Sequence, residues 1–138
     1  MTPLQMAALH NAAFENLRGW SETEISDLLD SPYTTAITRP AGFALIRTLA
    51  GESELLTLAV DPTFQRQGVA RAIMQDWIAS ITPIAQTAFL EVAADNHPAR
   101  ALYAGFGFEL SATRRGYYAR QSAQAVDAFV LRRDLTLG

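Results

Sequence analysis

Two stretches of the chain hold residues whose types and spacing can do chemistry. The first is Gln65-Arg66-Gln67-Gly68-Val69-Ala70-Arg71, which lies between an apolar run stopped by Asp61-Pro62 and a run with Ala70, Ile73, Met74, Trp77, Ile78 and Ile81 at helical spacing. The implied order is strand, short loop, helix. A helix start leaves about four backbone N–H groups unpaired and carries partial positive charge. Small residues at Gly68 and Ala70 therefore suit a pyrophosphate lying against bare backbone, although a glycine there equally eases an ordinary strand-to-helix turn. Other phosphate loops are excluded: no lysine occurs in the chain, so no G-x-x-x-x-G-K-S/T exists, and no G-x-G-x-x-G follows the strand.

The second stretch contains Glu91, Asn96 and Tyr103. Glu91 is a lone acid in an otherwise apolar run, Asn96 falls at a helix start, and Tyr103 lies on that helix at a separation that lets it fold back over the strand ends. Together they can line one cleft. Each also has a purely structural reading: an ion pair for Glu91, an N-cap for Asn96, and a core aromatic for Tyr103.

The elements that must position these groups follow from local signals. Thr2-Pro3 predicts an N-cap and first helical position, opening a helix through Leu17 that Gly19 ends. Ser21-Glu22-Thr23-Glu24 is a capping box for a short amphipathic helix ending before Pro32. β-rich runs over 33–38 and 43–49, joined by Arg39-Pro40-Ala41-Gly42, predict a hairpin, and Gly51 turns the chain into a third strand over 54–60. Thr82-Pro83 closes the helix after the loop, and a buried strand is predicted over 87–92. Asp95-Asn96-His97-Pro98 then opens a helix that Gly107 ends. Runs at 108–112 and Tyr117-Tyr118 read as one strand bent around Gly116, and 126–131 as its partner across a polar loop at 121–124. If helices come first, the strand over 33–38 is a sheet edge, with unpaired groups that leave room for a homodimer.

Composition narrows the class. At 138 residues and 49% hydrophobic content the chain is long enough for one domain spanning 1–138 with a real core. No apolar run approaches a membrane span of about 18 residues, and the start lacks the pattern of a signal peptide, so neither a membrane nor export is expected and the location is cytoplasmic. With no cysteine and two separated histidines, His10 and His97, thiolate chemistry and a metal cluster are not expected. The net charge of −3, with 11 arginines in no single stripe, argues against nucleic acid. Charge is uneven, however: residues 1–32 carry Glu15, Glu22, Glu24, Asp27 and Asp30 against Arg18 alone, a segment able to attract a basic partner.

Q-x-x-G-x-A in the first stretch resembles the acyl-CoA pyrophosphate loop R/Q-x-x-G-x-G/A of the GNAT N-acetyltransferases. The second, L-E-V-x-x-x-N-x-x-A-x-x-L-Y-x-x-x-G-F, is similar to the bacterial ribosomal-protein-alanine N-acetyltransferases, the RimI-like branch of that superfamily. Trp20-Ser21-Glu22 and Arg114-Arg115-Gly116-Tyr117-Tyr118 extend the resemblance, which spans residues 2–131. It implies an α/β (α+β) GNAT fold with a mixed, mostly antiparallel sheet of about six strands, here without the family's first strand. Acetyl-CoA would bind where the strands over 54–60 and 87–92 splay apart.

The implied assignments are Glu91 as general base and Tyr103 as general acid. Leu58 and Val60 would contact acetyl-pantetheine through backbone, residues 65–71 would hold the pyrophosphate, and Asn96 would touch the CoA arm. Trp20, Tyr117 and Tyr118 would border the acceptor. A carboxylate suffices for an α-amine of pKa about 7.7–8.0, the Val60 N–H can face a developing oxyanion, and a tyrosine near 10 can protonate a thiolate of about 8.5. The implied activity is acetyl transfer to the N-terminal alanine of a ribosomal protein with a basic N-terminal peptide. The alternatives are a GNAT acting on a small amine or lysine side chain, or a non-catalytic acetyl-CoA-binding module. Val126 departs from the branch pattern, which carries glutamate before Asp127-Ala128.

Overall fold

A computed structural model describes residues 1–14, 19–118 and 125–136. Two helices come first, α1 (Pro3–Ala13) and α2 (Glu22–Leu29), followed by β1 (Thr34–Arg39), β2 (Gly42–Leu49) and β3 (Glu52–Val60). After a 3-10 turn at Pro62–Phe64 the chain forms α3 (Val69–Ile81), β4 (Thr87–Ala93), α4 (His97–Gly105), β5 (Glu109–Tyr118) and β6 (Val126–Asp134). The six strands make one sheet in the order β1-β2-β3-β4-β6-β5. Among the described residues only the β3–β4 pair is parallel, because α3 carries the chain back between them, and β1 is an outer strand as expected.

Period-two alternation divides the core between the two faces of the sheet. Ala44 and Ile46 of β2 pack with Ile73, Met74, Trp77 and Ile81 of α3 and with Tyr103 of α4, whereas Phe43 and Leu45 pack with Met6, Ala7 and Ile25 from α1 and α2. Trp77 is fully buried, so its indole N–H needs a partner, and it donates to Ser53 Oγ at 2.9 Å. The capping box at Ser21 forms as its spacing predicts, and the expected N-cap at Thr2 is completed by Gln5 into a second capping box.

Two local features differ from the sequence reading. α1 ends at Ala13, with the Phe14 N–H bonded to His10 O, instead of reaching Leu17; residues 15–18 lie outside the described set. Gly19 therefore does not stop that helix as its C-cap. A Cβ there would collide with the Asn11 side chain, so glycine is needed for close approach to α1. As expected, β5 is one strand that bends around Gly116: its register with β6 runs from Arg114↔Ala128 to Tyr118↔Val126, a bulge in which Gly116 adopts φ +61° and donates its N–H to Asp127 Oδ1 at 2.9 Å. The polar loop expected at 121–124 lies outside the described residues.

Candidate active site

Strands β3 and β4 pair only from Glu52↔Thr87 to Leu55↔Leu90. Beyond that point β3 continues to Val60 against β2, and β4 continues to Ala93 against β6. The two strands therefore part, and their facing edges have no ladder partners among the described residues. The Asp61 N–H donates to Ala41 O on the β2 side, so strand alternation turns the peptide groups of Leu58 and Val60 toward the gap. Gln65 Nε2 lies 3.4 Å from Val60 O, which ties the loop to the end of the strand.

The loop over 65–71 runs into a helix start unlike the others. Among the described residues, α1, α2 and α4 begin with a side-chain cap from Thr2, Ser21 and Asn96, whereas the N-cap of α3 is Gly68 and supplies none. Its first-turn amides are left without a side-chain acceptor, and an anion can satisfy them. Gly68 has φ +83° and Arg66 has φ +64°, a conformation that is costly for a residue with a Cβ and is found where backbone amides are turned toward a common ligand. A Cβ on Gly68 would meet nothing within 4 Å, so the space above it is open. Gln65, Arg66 and Gln67 are exposed, as is Arg71, while Val69 and Ala70 are half-buried at the start of α3.

Glu91 is the first β4 residue past the last β3–β4 pair. Ala88, Leu90 and Val92 face the core shared with α3 and α4, so alternation turns Glu91 to the opposite face. There its Oε1 accepts an ion pair from Arg114 Nη2 at 3.2 Å, with the Glu91 side chain 23% exposed. Tyr103 lies on the α4 side, buried edge-on against Phe108 with ring centroids 6.3 Å apart. Burial pushes its hydroxyl up to about 12, with a smaller push from Tyr118. Asn96 Oδ1 accepts the Ala99 N–H at 3.3 Å as the cap of α4. Each of these residues thus occupies the structural role open to it, and Glu91 also stands at the gap.

Trp20 stacks on His10 at 5.2 Å and 19°, and its backbone N–H donates to His10 Nδ1 at 3.2 Å. That bond requires an unprotonated Nδ1, so Nε2 carries the proton and donates to Thr57 Oγ1 at 2.9 Å, joining α1 to β3. Sequence reading missed this junction, because a lone His10 on a helix gives no sign of its partners at positions 20 and 57. Tyr117 and Tyr118 meet edge to face at 5.3 Å in the β5 bulge, with the Arg114 guanidinium 5.0 Å over the Tyr117 ring. Arg114 was also missed as an individual residue; the available signal was the lone acid at Glu91, which requires a cation nearby. Among the described residues no group of three or more His, Cys, Asp or Glu could hold a metal ion.

Comparison with known proteins shows the family of the chain. Residues 6–108 match the acetyltransferase (GNAT) family. The chain is 41% identical over 85 residues to the ribosomal protein bS18-alanine N-acetyltransferase of Salmonella typhimurium, covering 61% of this chain and 57% of that protein. To the enzyme of the same name from Escherichia coli K12 it is 34% identical over 117 residues, 81% of this chain and 79% of the other. The crystal structure of the ribosomal-protein-S18-alanine N-acetyltransferase from Escherichia coli superposes with a TM-score of 0.84 at 29% identity, covering 94% of this chain and 84% of that one.

Proposed function

The chain belongs to the acetyltransferase (GNAT) family, and from that premise we propose that it transfers the acetyl group of acetyl-CoA directly to the N-terminal α-amine, an alanine, of a ribosomal protein. The observation that carries this reading is the gap between β3 and β4, with the uncapped start of α3 at one end and Glu91 at its edge. The residues present fit acetyl-CoA. Amides around Gly68 suit its diphosphate, and the strand edge at Leu58 and Val60 offers peptide groups to an extended amide-bearing arm.

In this reading Glu91 takes the proton from the acceptor amine, directly or through water. An α-ammonium of pKa about 7.7–8.0 gives up its proton near neutral pH, so a strong base is not needed. The Val60 N–H faces the carbonyl oxygen as charge develops there. Tyr103, held near 12, stays protonated at every working pH and donates to the departing sulfur. Full transfer to a thiolate of about 8.5 would be uphill by roughly 5 kcal/mol, so its contribution is a hydrogen bond that strengthens as the C–S bond breaks.

The relatives named above are alanine N-acetyltransferases acting on a ribosomal protein, which supports the same acceptor class here. Glu22 and Asp27 are exposed on α2, and the acids of that helix would draw a basic N-terminal tail toward the face that carries Glu91. Trp20, Tyr117 and Tyr118 would border that tail. No helix among the described residues is long and apolar enough to cross a membrane. The test is mass spectrometry of a peptide beginning with alanine after incubation with acetyl-CoA. One acetyl group on the α-amine is expected, and an unmodified peptide would overturn the reading.

A further inference from the structure

Glu91 does not stand alone at the gap, and what holds it has its own mechanical basis. Arg114 sits two strands away, on β5, where it pairs with Ala128 of β6, which in turn pairs with Ala93 of β4. The same face of the sheet thus carries Glu91, Ala93, Ala128 and Arg114. The β6 residue beside Arg114 is the small, fully buried Ala128, while Val130 lies opposite Glu91, and the arginine reaches diagonally over β6 to bring Nη2 within 3.2 Å of Glu91 Oε1. Arg114 is fixed from behind as well. Its guanidinium lies over the Tyr117 ring, and Tyr117 belongs to the bulge that Asp127 pins through the Gly116 N–H.

The energetics do not favour a role in stability. The Arg114 side chain is 53% exposed, and exposed ion pairs contribute about 0.2–1 kcal/mol at most, little beside the β4–β6 ladder itself. Its effect on geometry is larger. A glutamate on a strand has three rotatable side-chain bonds, and a cation drawn up to one oxygen narrows the directions the carboxylate can take. We propose that Arg114 is a positioning residue for acetyl transfer: it holds Glu91 by Oε1 so that the other carboxylate oxygen is presented to the acceptor amine at the β3–β4 gap. This rests on the assignment of Glu91 as the base.

The experiment is a double-mutant cycle with acetyl-CoA and an alanine-initiated peptide, using Glu91→Gln, Arg114→Gln, the two combined, and Arg114→Lys. Arg114→Gln should lower kcat by about 10- to 100-fold, the scale set by misplacing a reacting group by up to 1 Å, with KM for acetyl-CoA unchanged. Arg114→Lys should recover most of that loss, since it restores a cation beside Glu91. In the Glu91→Gln background the arginine substitution should cost nothing further, because the base it positions is gone. Wild-type kcat in Arg114→Gln, or losses that multiply in the double variant, would overturn the positioning role while leaving Glu91 as base. Wild-type kcat in Glu91→Gln would overturn both.

Discussion

Glu91 and Tyr103 stand on opposite faces of the same sheet, Glu91 ion-paired to Arg114 on the α1 and α2 side and Tyr103 buried with Leu90 and Val92 on the α3 and α4 side. Past Leu55 and Leu90 the sheet is open between β3 and β4, so groups from the two faces can meet there. Removing a proton from an amine and stabilising a departing sulfur are separate tasks, and in the proposed mechanism this arrangement would give each a separate side.

Substitutions should separate the two tasks by their pH dependence. Tyr103→Phe should lower kcat by roughly 10²–10⁴-fold with acetyl-CoA affinity almost unchanged. Glu91→Gln should depress activity most below about pH 8, where the acceptor amine is protonated, and recover partly above it. Wild-type pH–rate profiles in both variants would show that the two side chains serve the fold alone.

Tyr103 also makes a prediction about stability. Its hydroxyl is raised from 10.0 to about 12 in the folded chain, so the folded state holds the proton more tightly than the unfolded state. That contribution is complete below about pH 10 and disappears as pH climbs toward 12, falling by about 1 kcal/mol at pH 11. Urea unfolding between pH 8 and pH 11 should show the difference between wild type and Tyr103→Phe shrinking by that amount. A difference that stays constant would contradict the burial of the hydroxyl.

At the loop, Gly68→Leu places a side chain in the open space above the α3 amides and forces it into a left-handed conformation. Calorimetry should register loss of acetyl-CoA binding while circular dichroism remains that of the folded protein. Unchanged affinity would remove the loop from the cofactor site.

The β2–β3 turn offers a test away from the site. Leu49 pairs with Glu52, and the two residues between them, Ala50 and Gly51, have φ +54° and +81°, which is a type I′ turn. Alanine is strained there and asparagine is not, so Ala50→Asn should raise unfolding free energy by about 0.5–1 kcal/mol without changing kcat. Equal or lower stability in that variant would refute the strain.

The legible parts of this chain were those written locally. Ser21 and Glu24, Thr2 and Pro3, and the spacing from Ala70 to Ile81 gave the helices, and proline with glycine between two β-rich runs gave the first hairpin. Gly68 at the start of α3 was legible for the same reason. Features that join distant segments were not. The end of β3–β4 pairing at Leu55↔Leu90, the reach of Arg114 over Ala128 to Glu91, and the bonds from His10 to Trp20 and Thr57 all depend on register and packing. The early end of α1 at Ala13 belongs with them, because its helical composition continues past the point where Phe14 caps His10.

The central claim, transfer to an α-amine on a basic tail, is tested most directly by kcat/KM for three peptides. One begins with alanine followed by arginines, the second has the same sequence with its α-amine blocked and a lysine added, and the third begins with alanine followed by acids. The first should be preferred over both, and its advantage over the acidic peptide should shrink as salt screens charges more than about 10 Å apart. Transfer to the blocked lysine peptide at a rate equal to or above the first would contradict the account.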